Sequence, residues 1–210
     1  MTIPNGVWCW SMRLYKYDQE AVRNFEMHPK DKCGGRYSLV KDLANHFSYH
    51  YEPKVDVSDP IEPEMASYHQ YLIGIMRRMV ELGRIEIVTE VSILSSHNTY
   101  LHEGHILSAL HIISYLKGRN NSRMALDRTY PEIVYEKYET EKDWTAFYGN
   151  VKEVIPTNAP THLGKSVDLH MMVDIDHPVD NTTRRSRTGF MIFVNLYLIT
   201  WISKKHPTAE

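Results

Sequence analysis

Cysteine is scarce in this chain: Cys9 and Cys33 are the only two among 210 residues. Their spacing makes neither a zinc motif nor a disulfide framework, and so few thiols fit a reducing compartment. An excess of either charge is missing too. Lys and Arg number 24 against 26 Asp and Glu, a formal net charge of −2. A free-standing nucleic-acid binder is usually basic, so contact with phosphate must come from local patches here. Long apolar runs are also lacking. The most apolar stretch, 190–202, is too short to cross a bilayer as a helix and carries Asn195 and Thr200. The opening MTIPNGVWCW does not have the basic-then-apolar layout of a secretory leader. The expectation is an intracellular chain, cytoplasmic or nuclear, with no membrane partner and no small-molecule ligand. There is no internal repeat and no low-complexity tract.

What is present suits folded units with real cores: 42% of residues are hydrophobic and 24% charged. Residues 1–16 mix aromatics with Pro4 and Gly6 and read as a strand end or turn. Residues 17–28 carry Ala21, Val22 and Phe25 with Asp18 and Glu20 near the start, which predicts a helix stopped by Pro29. Residues 29–63, with Gly34-Gly35 and several prolines, read as an extended connector. The pattern then sharpens. Met65, Tyr68, Leu72, Ile75, Met79 and Leu82 step by three and four and stripe one helix face. Pro63 suits the first turn of that helix and Gly83 its end. Ile87, Val91 and Leu94 predict a second, short helix. Glu103 opens a third, with Ile106, Ala109, Leu110, Ile113 and Leu116 on one side and Gly118 closing it. Three such helices with tight connections predict a bundle over 65–127. Arg123–Leu126 reads as a short strand, 128–168 as a connector, and 170–174, 189–195 and 198–203 as three strands. The fold class is α+β: a three-helix bundle, a long connector and a small sheet.

The chemistry-bearing stretch is VDIDHPVDNTTRRSRTGF, residues 173–190. Asp174 and Asp176 alternate with Ile175, so both face one side of a strand. Such a pair can be part of a metal site, or simply a solvated strand end; taken alone the second is the plainer reading. Arg184, Arg185 and Arg187 make a basic turn. Guanidinium groups fit phosphate in bidentate fashion, but exposed turns favour such residues anyway, and the two readings stand level. Arg77, Arg78 and Arg84, around the first bundle helix, read the same way. The histidines of HEGH are three apart and do not match the four-residue step of a zinc-binding helix, so they read as ordinary core or surface groups.

Three blocks together resemble one family. YLIGIMRRMVELGRIEIVTEVSILSSH (71–97), EGHILSALHIISYLKG (103–118) and VDIDHPVDNTTRRSRTGFMIFVN with ITWISKKHPT (173–208) look, in that order, like the Pol polyprotein of copia-type retrotransposons beyond its polymerase centre. The resemblance implies a palm-like end and connector over 1–64, a thumb-like bundle over 65–127, a connector over 128–168, and part of a ribonuclease H-like sheet over 169–210. It implies RNA–DNA hybrid or duplex nucleic acid as the partner, gripped by Arg77, Arg78, Arg184, Arg185 and Arg187. Asp174 matches the family's first ribonuclease H aspartate, so Asp174 and Asp176 become vestigial metal ligands. The complete parent enzyme would use Mg²⁺, whereas this chain is expected to need no cofactor. The family's Tyr-x-Asp-Asp strand has no counterpart here. Its next catalytic glutamate has none either, since Glu210 comes too early. Pro178-Val179 replaces the family's Ala-Gly, which removes easy access to positive φ. The expected function is therefore a non-catalytic fragment of a reverse transcriptase/ribonuclease H polyprotein. The alternatives are a retained nucleic-acid-binding module and, last, a residual metal-dependent ribonuclease H.

Overall fold

The computed structural model describes residues 6, 8–32, 38–40, 43–48, 51–132, 145–149, 154, 156–161, 163–176 and 185–206. Helix and sheet are segregated along the chain, as in an α+β protein. In order the elements are β1 (Trp10–Met12), α1 (Tyr15–Lys32), α2 (Pro63–Glu81), α3 (Val88–Ser95), α4 (Glu103–Gly118), β2 (Met124–Leu126), α5 (Thr145–Tyr148), β3 (Leu169–Asp176), β4 (Arg187–Val194) and β5 (Tyr197–Lys205).

α2 starts at Pro63, whose missing N–H has no intrahelical partner to lose. It ends at Glu81, and Gly83, two residues beyond, takes φ 118. That positive φ favours glycine, while a Cβ there would come closest to the flexible end of Met12, 3.3 Å away. The buried face is Leu72, Ile73, Met76 and Met79 with His69. That is rotated from the expected stripe, in which Ile75 stood where Met76 is fully buried. Apolar residues at 72, 73, 75, 76, 79 and 80 offer two overlapping stripes, and packing against α3 and α4 selects one.

α4 is the central helix. Ile106, Ala109, Leu110, Ile112, Ile113, Tyr115 and Leu116 are buried on it, and α1, α2 and α3 all pack against it. The bundle is thus larger than the sequence suggests. α1, assigned by its sequence to a separate N-terminal unit, places Ala21 and Phe25 in the same core as Leu72, Met76 and Ile106. α1 also continues to Lys32 rather than stopping at Pro29. A proline removes one helical hydrogen bond and crowds the preceding turn, which raises the energy of a helix without forbidding it.

A charged cluster lies at the junction of α1 with the end of α2. Arg84, just past α2, is 2% exposed and Asp18 of α1 is 1% exposed, with Arg84 Nη1 3.5 Å from Asp18 Oδ2. Arg84 Nε faces Glu86 Oε1 at 3.1 Å, and Nη1 donates to the Arg119 carbonyl at 2.9 Å. No hydrogen bond among the described residues reaches either Asp18 oxygen. Burial therefore dominates and pushes the Asp18 carboxyl up to about 6, with Arg84 only partly opposing it.

The three-stranded sheet is antiparallel in the order β3-β4-β5. β4 and β5 join through a two-residue turn at Asn195 and Leu196, where Asn195 takes φ 54. Asparagine tolerates this left-handed conformation, which tight hairpins need. Its side chain ties the turn down: Oδ1 accepts the Asp168 N–H and Nδ2 donates to the Arg128 carbonyl, each at 2.9 Å. A bulge at Ile192/Phe193 re-aims β5 so that Leu198 is buried. The sheet docks on the bundle through β5. Trp201 Nε1 donates to the Val80 carbonyl at 3.1 Å, and Ser92 Oγ of α3 donates to the Ser203 carbonyl at 2.7 Å. A second, two-stranded ribbon pairs β1 with β2 antiparallel.

Candidate nucleic-acid interface

The two faces of the sheet follow from its register. Asp174 lies opposite Gly189, which lies opposite Ser203; Asp176 lies opposite Arg187, which lies opposite Lys205. Cross-strand partners share a face. Asp174 therefore stands exposed on the same face as Arg187, over the space left by the missing side chain of Gly189. The other face carries Leu169, Met171, Val173 and Ile175, all solvent-exposed.

The arginines named from sequence separate into different roles. Arg187 Nη1 donates to Ser92 Oγ at 2.6 Å and lies 3.3 Å from Ser203 Oγ, so it fastens the sheet to α3. Arg185 is exposed beside it, while Arg184 lies outside the described residues. Arg77 and Arg78 are exposed on α2, and Arg78 pairs with Glu81 at 2.9 Å along the helix. Arg84 is withdrawn from the surface altogether, as the buried partner of Asp18 and Glu86.

Pairing of β4 with β5 adds cations that sequence inspection missed. Lys204 lies opposite Thr188 and Lys205 opposite Arg187. His206 continues the line, its N–H donating to the Ser186 carbonyl at 2.9 Å and its Nε2 standing 2.5 Å from Thr188 Oγ1. Arg185, Arg187, Lys204 and Lys205 thus lie at one end of the sheet, Arg187 and Lys205 on one face and Lys204 on the other, from residues up to about twenty apart in sequence. The signal was the alternating pattern of both strands, which fixes the register once the hairpin turn is placed at Asn195.

The carboxylates do not assemble in the same way. Among the described residues no group of three or more His, Cys, Asp or Glu is arranged to hold a metal ion. Asp174 is exposed, and one carboxylate at the surface does not satisfy the octahedral oxygen demand of Mg²⁺. The described residues do not by themselves make a site for the metal, and no catalytic step is derived from them.

Elsewhere, a histidine cluster forms where 51–58 meets α2 and α4. His97 and His105 have ring centroids 5.0 Å apart, and His102 and His105 6.0 Å. His105 Nδ1 accepts the His102 N–H at 3.0 Å and stands 3.5 Å from Asp56 Oδ2. Burial, with help from the nearby His105, pulls His69 down to about 4. Burial likewise lowers His105, against the pull of Asp56. His69 and His105 are thus buried groups held toward the neutral form, and the cluster braces the start of α4.

No family model matches the chain, and no solved structure matches it. Among curated proteins it is similar to UvrABC system protein C of Borrelia hermsii (strain HS1 / DAH), with 23% identity over 132 residues. The match takes in 62% of this chain and 21% of that protein, so the chain spans about a fifth of the length of the relative it matches. These findings overturn the expected resemblance to copia-type retrotransposon polyproteins, together with its reverse transcriptase and retrotransposon labels. Each supporting block was short and rested on local chemistry that unrelated folds share. A helix ending in Lys-Gly and a basic hairpin between two apolar strands are solutions to general folding problems. Among the described residues no helix is long and apolar enough to cross a membrane.

Proposed function

We propose that this chain is a non-catalytic nucleic-acid-binding module that holds the phosphate backbone at the basic end of its sheet. The carrying observation is the placement of Arg185, Arg187, Lys204 and Lys205 together at the paired ends of β4 and β5. Cations on a rigid hairpin are held at fixed spacing and lose little entropy on engaging a polyanion. Arg187 is already ordered by Ser92 and Ser203, so it positions the strand end, while the exposed Arg185 and Lys204 reach phosphate. Such contacts carry no base information, and binding to duplex DNA or an RNA–DNA hybrid is expected to be independent of sequence. The overall charge of −2 is compatible, because the contact is a patch and not the whole surface.

The test is fluorescence anisotropy with a labelled hybrid at low salt. The double variant Arg185→Glu/Lys204→Glu is expected to weaken binding by at least tenfold with the fold intact, since both side chains are exposed. Unchanged affinity in that variant would refute the assignment.

A further inference from the structure

The start of α4 is capped by a distant piece of chain. The first N–H groups of a helix have no partner within it and must find one elsewhere. Here the Glu103 N–H donates to the Asp59 carbonyl and the Gly104 N–H to Ser58 Oγ, each at 2.9 Å. The Ile61 N–H donates in turn to the Leu101 carbonyl at 3.2 Å, and His102 Nδ1 stands 2.5 Å from the Ser58 carbonyl. Residues 51–61 thus form a strap across the helix start. Asp56 sets its shape. Its Oδ1 accepts the Ser58 N–H at 2.9 Å and the Ser58 hydroxyl at 2.6 Å, and its Oδ2 accepts the Tyr51 hydroxyl at 2.5 Å. Gly104 lets the strap lie close, since a Cβ there would run into Asp56 Oδ2 and the Tyr51 ring.

His105 sits under this strap, 2% exposed. Its Nδ1 accepts the His102 N–H at 3.0 Å, so Nδ1 carries no proton and the neutral ring keeps its hydrogen on Nε2. A side chain that reaches back from the third helical position to the N-cap N–H is half of a capping box. Glu or Gln usually fills that place, and neither changes charge near neutral pH, whereas histidine does. Around the ring stand Asp56, with Oδ2 3.5 Å from Nδ1, and the Tyr51 ring, edge on at 6.3 Å. Three further imidazoles complete the surroundings: His97, His102 and the fully buried His69 of α2. One carboxylate therefore faces four rings. Burial outweighs the pull of Asp56 and holds His105 below its ordinary value.

We propose that residues 51–61 are an acid-sensitive latch on α4, released when His105 takes up a proton. The proton enters at Nδ1, the ring nitrogen that lacks one. The His102 N–H then faces another N–H in place of an acceptor, and a cation stands buried among His69, His97 and His102. An open strap leaves the ring free to protonate near its ordinary value of about 6.5. The closed form thus binds fewer protons than the open one, so the latch holds above about pH 6.5 and weakens as pH falls. Opening brings buried Pro53 into solvent and strips the Glu103 and Gly104 N–H groups of their acceptors. The latch does not depend on the proposed nucleic-acid contact.

The experiment is amide hydrogen exchange on the full chain between pH 7.5 and 5.5, read by NMR as protection factors. Glu103, Gly104 and Ile61 report the latch, and Ile112 and Ile113 report the middle of α4. One proton taken up on opening should lower latch protection roughly 3- to 10-fold over this range, with Ile112 and Ile113 unchanged. His105→Gln keeps an acceptor for the His102 N–H and does not titrate, so its latch protection is expected to stay level. Ser58→Ala removes a latch bond without touching the ring. It should lower Gly104 protection at both ends of the range and keep the wild-type fall between them. A folded His105→Gln variant that shows the wild-type fall overturns the assignment. Equal losses at Ile112 and Ile113 also overturn it, because the whole bundle would then be opening. If His105→Gln does not fold, His105→Asn takes its place. Wild-type latch protection that is flat from pH 7.5 to 5.5 overturns the proposal without any variant.

Discussion

Asp18→Asn should make this protein more stable at neutral pH, although it removes a buried ion pair. The reason lies in the balance at Asp18. Its oxygens accept no hydrogen bond among the described residues, and its partner Arg84 stands at 3.5 Å while also serving Glu86 and the Arg119 carbonyl. Loss of hydration therefore outweighs attraction, and the carboxyl rises from 3.8 to about 6. A group whose folded-state value is raised binds more protons folded than unfolded between those limits, so stability falls as pH rises through them. Two units at 1.36 kcal/mol each amount to about 3 kcal/mol lost above pH 6. Asparagine keeps the shape and does not ionise. At pH 7.5 the variant is expected to melt about 6–12 °C above the wild type, taking the usual shift per kcal/mol for a chain of this size. The gap should narrow as pH falls through about 6 and close below about 4, where Asp18 is protonated in both states. The assay is thermal unfolding by circular dichroism at half-unit steps. A variant that is less stable than the wild type at pH 7.5, with a deficit that shrinks as pH falls to 4, would refute the reasoning and show that the Arg84 pair prevails.

Other outcomes follow from the same geometry. His69 is fully buried and held down to about 4, so the unfolded chain takes up its proton first as pH falls. His69 should contribute about 3 kcal/mol that is lost between roughly pH 6.5 and 4, and His69→Phe should flatten the acid limb of the melting curve; an unchanged limb counts against it. A Cβ on Gly104 would stand 2.2 Å from Asp56 Oδ2 and 2.7 Å from the Tyr51 ring. Gly104→Ala should thus cost about 1–3 kcal/mol in urea unfolding, and a neutral result would mean the 51–58 segment yields freely. Val173 is 50% exposed on the outer strand of the sheet. Val173→Lys should leave the melting temperature within about a degree and raise solubility, and a folding defect would show that this face is covered in solution.

Local patterns made the helices legible. Pro63, Gly83, Glu103 and Gly118 mark ends that the structure keeps, because capping chemistry acts within one turn. The three strands were legible in number and near position, because alternation and a turn residue suffice. What was hidden depended on distant partners. Nothing near Trp10 says that it pairs with Leu126, or that Asp18 will meet Arg84 inside a core. The rotated stripe of α2 was ambiguous for the same reason: two apolar faces overlap, and only the neighbours choose. At the candidate interface the basic turn was visible, but its enlargement by Lys204 and Lys205 required the β4–β5 register. Arg84 and Arg187 look like Arg185 in sequence and differ from it only in what packs on them. The family resemblance failed at another level, since short motifs record local solutions and not descent.

The most direct test of the central claim is the dependence of hybrid binding on salt. Each phosphate neutralised contributes about −0.9 to the slope of log K against log salt. The wild type is expected to give a linear plot with a slope of about −2 to −4, and Arg185→Ala/Lys204→Ala should bring it about 1.8 units closer to zero. A flat wild-type plot, or a slope indifferent to removal of those two cations, would contradict the account.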